Sequence, residues 1–152
     1  MKRLRIRRPD LLPEPISHYT DAVAADNLVF VSGILPVDPD GNIVGVGDVV
    51  RQTEQIFHNI DVLLDAAGAT FDDVVKVSLF LLRMGDREAI NTVRQRVFGV
   101  SRPASTLVEV SALALPDALL EVETIAVIDR ASAGGAGRTH GRAAAQVPGG
   151  TG

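Results

Sequence analysis

The chain contains no cysteine and no tryptophan, and only one tyrosine and three histidines among its 152 residues. Without cysteine there can be no disulfide, no thiolate nucleophile and no Cys-ligated zinc or iron–sulfur centre. His18, His58 and His140 are widely separated and lack metal-ligand spacing, so no metal site is expected from them. No apolar run approaches the ~18 residues of a membrane span, and the basic opening Met1–Arg8 does not lead into the apolar core of a signal peptide. These absences imply a cytoplasmic protein with no membrane partner. Aromatic residues make up 4%, too few for a base-stacking platform.

What is present is ordinary for one globular domain: 46% hydrophobic and 22% charged residues, at a length able to bury a core. The net charge of −4 hides an asymmetry. Residues 1–10 hold five bases and one acid, and residues 131–152 hold Arg138, Arg142 and no acid, which leaves eight bases against eighteen acids for 11–130. Such an acidic body disfavours a broad nucleic-acid surface, which needs clustered Lys and Arg. The alternation Lys2-Arg3-Leu4-Arg5-Ile6-Arg7 fits a strand with one solvated face better than a nucleic-acid arm. The last 22 residues carry seven of the fourteen glycines, with Val147 as their one large apolar residue. Residues 1–130 therefore read as the domain and 131–152 as a disordered tail.

Leu28-Val29-Phe30-Val31-Ser32 reads as a strand, forming a hairpin with about Thr20–Ala25 across the turn Asp26-Asn27. A first helix is expected from an Asp48 N-cap to a Gly68 terminator, with Val49, Thr53, Ile56, Ile60, Leu63, Leu64 and Ala67 as its buried stripe and His58 solvated. Val74–Leu82 reads as a strand buried on both faces. Asp86 should cap a second helix that turns Ala89, Ile90, Val93 and Val97 inward, ends at Gly99 and leaves Arg94 and Arg96 in solvent. Strands over Ser105–Ser111 and Leu119–Asp129 complete the order β-β-α-β-α-β-β. Such crossovers imply a sheet with parallel pairs and helices on one face. The other face needs a cover, which predicts an oligomer.

Successive strand residues point to opposite faces, so Glu121 and Glu123 share one. The pair is either a solvated or ion-paired strand face, or a carboxylate of raised pKa acting as general base on water. Tyr19 either offers its hydroxyl to a ligand or packs. Gly33, after Ser32 at a strand end, allows close approach of a ligand to the backbone. Asn91, Ser105 and Thr106 are polar residues placed to line a pocket, and His18 is either a solvated loop residue or a neighbour of Tyr19 at its mouth.

Several segments carry a collective resemblance. They include Pro15-Ile16-Ser17-His18-Tyr19, Asn27-Leu28-Val29-Phe30-Val31-Ser32-Gly33-Ile34-Leu35-Pro36-Val37-Asp38-Pro39, Gln52-Thr53, Asn59-Ile60, Ala66-Ala67-Gly68, Arg102-Pro103-Ala104 and Glu121-Val122-Glu123-Thr124-Ile125-Ala126. In this order, over about residues 15–128, they resemble the RidA/YjgF family of reactive intermediate deaminases, also known as L-PSP endoribonucleases or translation initiation inhibitors. The resemblance implies an α+β, chorismate-mutase-like fold: a mixed sheet with two helices on one face, assembled as a homotrimer around a central barrel. It also implies metal- and cofactor-free hydrolysis of an enamine or imine to a carbonyl compound and ammonia, with the small molecule held in a cleft between subunits. By resemblance, Glu121 positions the attacking water, and Tyr19, Ser32, Gly33 and Asn91 line the cleft.

One family residue is missing. Where the pattern reads Arg-Pro-Ala-Arg-Ser, with the second Arg gripping the substrate carboxylate, this chain reads Arg102-Pro103-Ala104-Ser105-Thr106. A hydroxyl replaces a bidentate, charge-assisted contact, so activity on 2-aminoacrylate should be weak and the substrate non-standard. His18 and Arg102 are further candidates for a donor. Three functions follow in order of preference: a divergent deaminase, a non-enzymatic small-molecule-binding or regulatory trimer, and an RNase or translation inhibitor. The last is disfavoured by the acidic body, whose only lysine is Lys76.

Overall fold

A computed structural model describes residues 2–128, and the sequence readings for Asp129, Arg130 and the tail 131–152, including His140, lie outside them. The strands are β1 (Arg3–Ile6), β2 (Ala22–Ala25), β3 (Leu28–Ile34), β4 (Val74–Leu81), β5 (Ala104–Glu109) and β6 (Leu120–Val127), with helices α1 (Val49–Ala67) and α2 (Arg87–Phe98). They form one sheet in the order β1-β2-β3-β6-β4-β5. Every neighbouring pair is antiparallel except β4–β5. The late strand β6 thus sits between β3 and β4, and β5 is left as an edge. This is the α+β architecture, a mixed sheet with two helices, that the sequence implied.

The caps of α1 fall where expected. The Asp48 carboxylate accepts from the backbone N–H of Val50 and Arg51, satisfying donors that the first turn cannot, and Gly68 adopts φ 77°, the left-handed conformation that closes a helix. Asp86 holds the N-cap position of α2 but makes no side-chain cap. Its carboxylate accepts from Arg83 Nε instead, at 3.1 Å. The inward faces of the helices meet Val29, Val31, Val77, Leu79, Leu120 and Val122 in one apolar core. Between α1 and α2, Phe57, Phe71 and Phe98 stack edge to face with centroids 5.5–6.0 Å apart.

The α1 stripe is wider than the apolar rhythm predicts, because Gln52 and Asn59 are also buried. Gln52 Nε2 donates to the carbonyls of Asp117 and Gly45, and its Oε1 accepts from Leu119 N. Asn59 Nδ2 donates to the Val37 carbonyl. These two amides fasten α1 to the long connection after β3 and to the loop before β6.

Strand β4 corrects the expectation of burial on both faces. Val74, Val77, Leu79 and Leu81 are buried, whereas Val75 is exposed and Lys76, Ser78 and Phe80 are only half-buried. The bare face continues across the sheet through Phe30 on β3, Glu121, Glu123 and Ile125 on β6, and Thr106 and Val108 on β5, by direct register. Phe30 is 42% exposed and Val108 39%. The chain alone therefore leaves one sheet face of mixed apolar and polar residues uncovered by helices.

Candidate functional site

Glu121 and Glu123 lie on the bare face, opposite Phe80 and Ser78 of β4. Glu121 is half-buried and Glu123 exposed. Burial pushes the Glu121 carboxyl above the ordinary carboxylate range, and the negative charge of Glu123 adds to the rise. Its neighbour across the sheet is Gly33, in the irregular end of β3 where register shifts between Val31 and Ile34. A Cβ at Gly33 would approach Glu121 Cδ to 2.7 Å and its Oε1 more closely still. Glycine is therefore what makes room for the carboxylate.

Ser32 does not point its hydroxyl at a free ligand position. Its Oγ donates to the Thr20 carbonyl at 2.7 Å and its backbone N–H to the Asp21 carbonyl at 2.9 Å. Those bonds hold the segment that carries Tyr19, itself 47% exposed. Asp21 is anchored in turn by Arg7 Nε at 3.1 Å. Tyr19 and Gly33 line a cavity of about 360 Å³ together with Leu35, Val37, Asn59 and Leu115, so the buried amide of Asn59 also shapes its wall. His18 is exposed beside Tyr19 but does not line that cavity.

Asn91, Ser105 and Arg102 lie elsewhere. Ser105 pairs with Val77, whose side chain faces the helices, and Thr106 pairs with Ser78 on the bare face. The two adjacent candidates therefore serve opposite faces of β5, and Thr106 Oγ1 is taken by Lys76 Nζ. Asn91 and Arg102 line a second cavity of about 350 Å³ at the α2–β5 edge, with Arg94, Gln95, Phe98 and Ser101. In one chain the sheet stands between Ser105 and Glu121, because β4 separates their strands and they project from opposite sides.

Arg94 is the residue that sequence reasoning missed. It is not solvated but half-buried, and its Nη2 donates to Ser105 Oγ at 2.8 Å. Its Nε is shielded from solvent without a partner, and desolvation lowers the pKa of the guanidinium. By contrast Arg96, on the same helix, reaches Glu54 at 2.7 Å. Among the described residues no cluster of His, Cys, Asp or Glu is arranged to hold a metal ion, and no helix is long and apolar enough to cross a membrane.

A mixed sheet backed by two helices on one side, with an acid on its bare side and a basic hollow at its edge, defines a small α+β protein. The match to known proteins makes this specific. A family model described as Endoribonuclease L-PSP matches residues 10–128, and the chain belongs to that family, the RidA/YjgF proteins. It is 41% identical over 118 residues to the 3-aminoacrylate deaminase RutC of Acinetobacter baylyi, covering 78% of this chain and 93% of that one. It is 35% identical over 129 residues to a 2-iminobutanoate/2-iminopropanoate deaminase of Dermatophagoides farinae, covering 85% of this chain and 100% of that one. Among solved structures, the Rid-family protein YyfA of Yersinia pestis superposes with a TM-score of 0.78 at 33% identity, over 84% of this chain and all of that one. E. coli TdcF with bound serine gives 0.76 at 31%, over 83% and 99%.

Proposed function

We propose that the protein is a metal-free deaminase that hydrolyses a reactive enamine or imine to a carbonyl compound and ammonia, in clefts between the subunits of a homotrimer. The observation that carries this reading is Glu121: a carboxyl of raised pKa, half-buried on the bare sheet face and fitted against Gly33. A carboxyl tuned upward in this way is a stronger base than an ordinary carboxylate and can also return the proton it takes. As base it takes a proton from water while the hydroxide adds to the imine carbon. Glu121 returns that proton to the nitrogen, giving the neutral carbinolamine, then takes the carbinol hydroxyl proton and passes it to the nitrogen as the C–N bond breaks, so that the carbonyl forms and ammonia leaves. An enamine enters the same route after a proton is added at carbon and one is lost from nitrogen, which gives the imine. Relatives named as deaminases of 3-aminoacrylate and of 2-iminobutanoate/2-iminopropanoate support this chemistry.

The same geometry supports an assembly of several copies. Glu121, fitted against Gly33, projects from the bare side of the sheet, and Asn91 and Ser105 belong to the helix side. A single ligand meets both sets only if the α2–β5 edge of one copy lies against the bare face of another. Such packing also covers Phe30, Phe80 and Val108. With Ser105 at the arginine position, strand β5 itself offers no carboxylate grip, which on its own favours a non-standard substrate.

The test is ammonia release from imines generated in situ by an amino-acid oxidase acting on a panel of amino acids. Wild-type protein should accelerate release for at least one of them, and Glu121→Ala should abolish the acceleration. Equal rates for the two proteins across the panel would overturn the assignment and favour a ligand-binding trimer.

A further inference from the structure

The position that carries an arginine in the family pattern holds Ser105, yet a guanidinium still reaches it. Arg94 comes to Ser105 from the helix rather than from the strand, and its Nη2 hydrogen bond to Ser105 Oγ is 2.8 Å long. A long side chain at 105 would occupy the same space, so the short serine is what admits Arg94. We propose that Arg94 is the carboxylate-binding residue of this protein, so that its substrate is an anionic imine or enamine acid held from α2 rather than from β5. This rests on the deaminase reading of the cleft and replaces the weak activity on 2-aminoacrylate expected from Ser105 alone, because the carboxylate grip is moved to α2 rather than lost.

Three further observations support it. Among the described residues no ion pair is formed by Arg94, although it is half-buried, whereas Arg96 on the same helix pairs with Glu54. Its Nε is buried without a hydrogen-bond acceptor, an arrangement that costs free energy until an acceptor arrives. A guanidinium has five N–H donors, and a carboxylate accepts two of them side by side. Finally, Arg94 stands one helical turn beyond Asn91, on the same face, and both line a cavity that contains two arginines and no acid. A hollow of that charge favours an anion. The amide of Asn91 adds a neutral donor and acceptor for the remainder of the ligand.

The experiment separates charge recognition from chemistry. Calorimetry on the assembled protein measures binding of pyruvate, a 2-keto acid, and of its uncharged amide. Arg94→Ala should weaken pyruvate about 10–150-fold and leave the amide within about threefold. Arg94→Lys keeps the charge but not the planar fork, so it should recover part of the loss. With 2-iminopropanoate as substrate, Arg94→Ala should raise KM more than it lowers kcat. Arg94→Gln, which keeps most of the stem, is the reading variant if Arg94→Ala fails to assemble.

The proposal is overturned if a folded, assembled Arg94 variant binds pyruvate as wild type does. It is equally overturned if wild-type protein binds the amide as tightly as pyruvate, or does not bind pyruvate at all. Loss of pyruvate binding in Arg94→Ala combined with unchanged ammonia release in Glu121→Ala would uphold Arg94 and reject the deaminase reading.

Discussion

Substituting Gly33 by alanine tests whether the Glu121 carboxylate must sit where the structure places it. The added Cβ would lie 3.2 Å from Glu121 Cγ and 2.7 Å from Cδ, whereas carbon atoms rest about 3.5–4.0 Å apart. Cδ must therefore retreat by roughly 1 Å, and Oε1 by more. Because the obstacle is the far end of a flexible side chain, the fold should survive. An off-rotamer Glu121 costs about 0.5–1.5 kcal/mol, and replacing glycine in a strand returns about 0.5–1 kcal/mol. The net change in stability should be below about 1 kcal/mol, or a few degrees in Tm. Catalysis is far less tolerant, since a displacement of about 1 Å can cost about 100-fold. The expected result is a kcat/KM for ammonia release down about 100-fold with Tm nearly unchanged. In the Gly33→Ala background, Glu121→Asp draws the carboxylate back by one methylene from the added Cβ and should cost much less than it does in wild type. Gly33→Ala activity within about threefold of wild type would refute the placement of Glu121 at the reacting carbon.

Glu121 should also destabilise the protein it serves. Its folded pKa is raised, mainly by burial and then by Glu123, so ionisation opposes folding and stability falls as pH rises through the folded pKa. Glu121→Gln should melt higher than wild type at about pH 8, and the difference should vanish below the ordinary Glu pKa of about 4.3. Gln52→Leu leaves the Leu119 N–H and the Gly45 and Asp117 carbonyls without partners, and should cost about 3 kcal/mol, seen as a Tm lower by roughly 10 °C. Sedimentation equilibrium should give a species of three times 16.1 kDa, and a stable monomer at micromolar concentration would remove the interfacial cleft.

The elements with local causes were legible before any coordinates. The caps of α1 at Asp48 and Gly68, the β2–β3 hairpin and the shared face of Glu121 and Glu123 all follow from periodicity and turn chemistry. The failures are non-local. Gln52 and Asn59 are polar, so an apolar stripe passes over them, yet their partners are the carbonyls of Asp117 and Val37, which come from loops that α1 meets only in the folded chain. Arg94 falls off the apolar stripe of α2 and so reads as solvated, but α2 lies beside the edge strand β5, and Ser105 is what it meets there. Strand β4 reads as buried twice over because Phe80 and Val75 are apolar, while one chain covers only one of its faces. The alternation of side chains along a strand was sufficient to separate Ser105 from Thr106, and the family pattern, which treats them as neighbours in one segment, obscured it.

The exchange of Arg94 for a strand arginine can be tested in reverse. Ser105→Arg alone places a second guanidinium beside the first, since Ser105 Oγ is only 2.8 Å from Arg94 Nη2. Like charges at such range repel, by on the order of 1 kcal/mol after solvent screening, and the two groups compete for one space. The single variant should therefore melt lower than wild type, by an amount that shrinks with added salt. Removing the helix guanidinium should resolve the conflict. Relative to Arg94→Ala, the double variant Arg94→Ala/Ser105→Arg should regain most of the roughly 10–150-fold of pyruvate affinity that a charge-assisted contact is worth. Its preference between imine acids of different length should also move, because the charge now projects from β5. Recovery would establish that Arg94 and a residue-105 arginine answer to the same ligand group. A double variant that binds pyruvate no better than Arg94→Ala would show that the hollow lined by Asn91 and Arg102 differs from the family pattern in shape as well as in the origin of its charge.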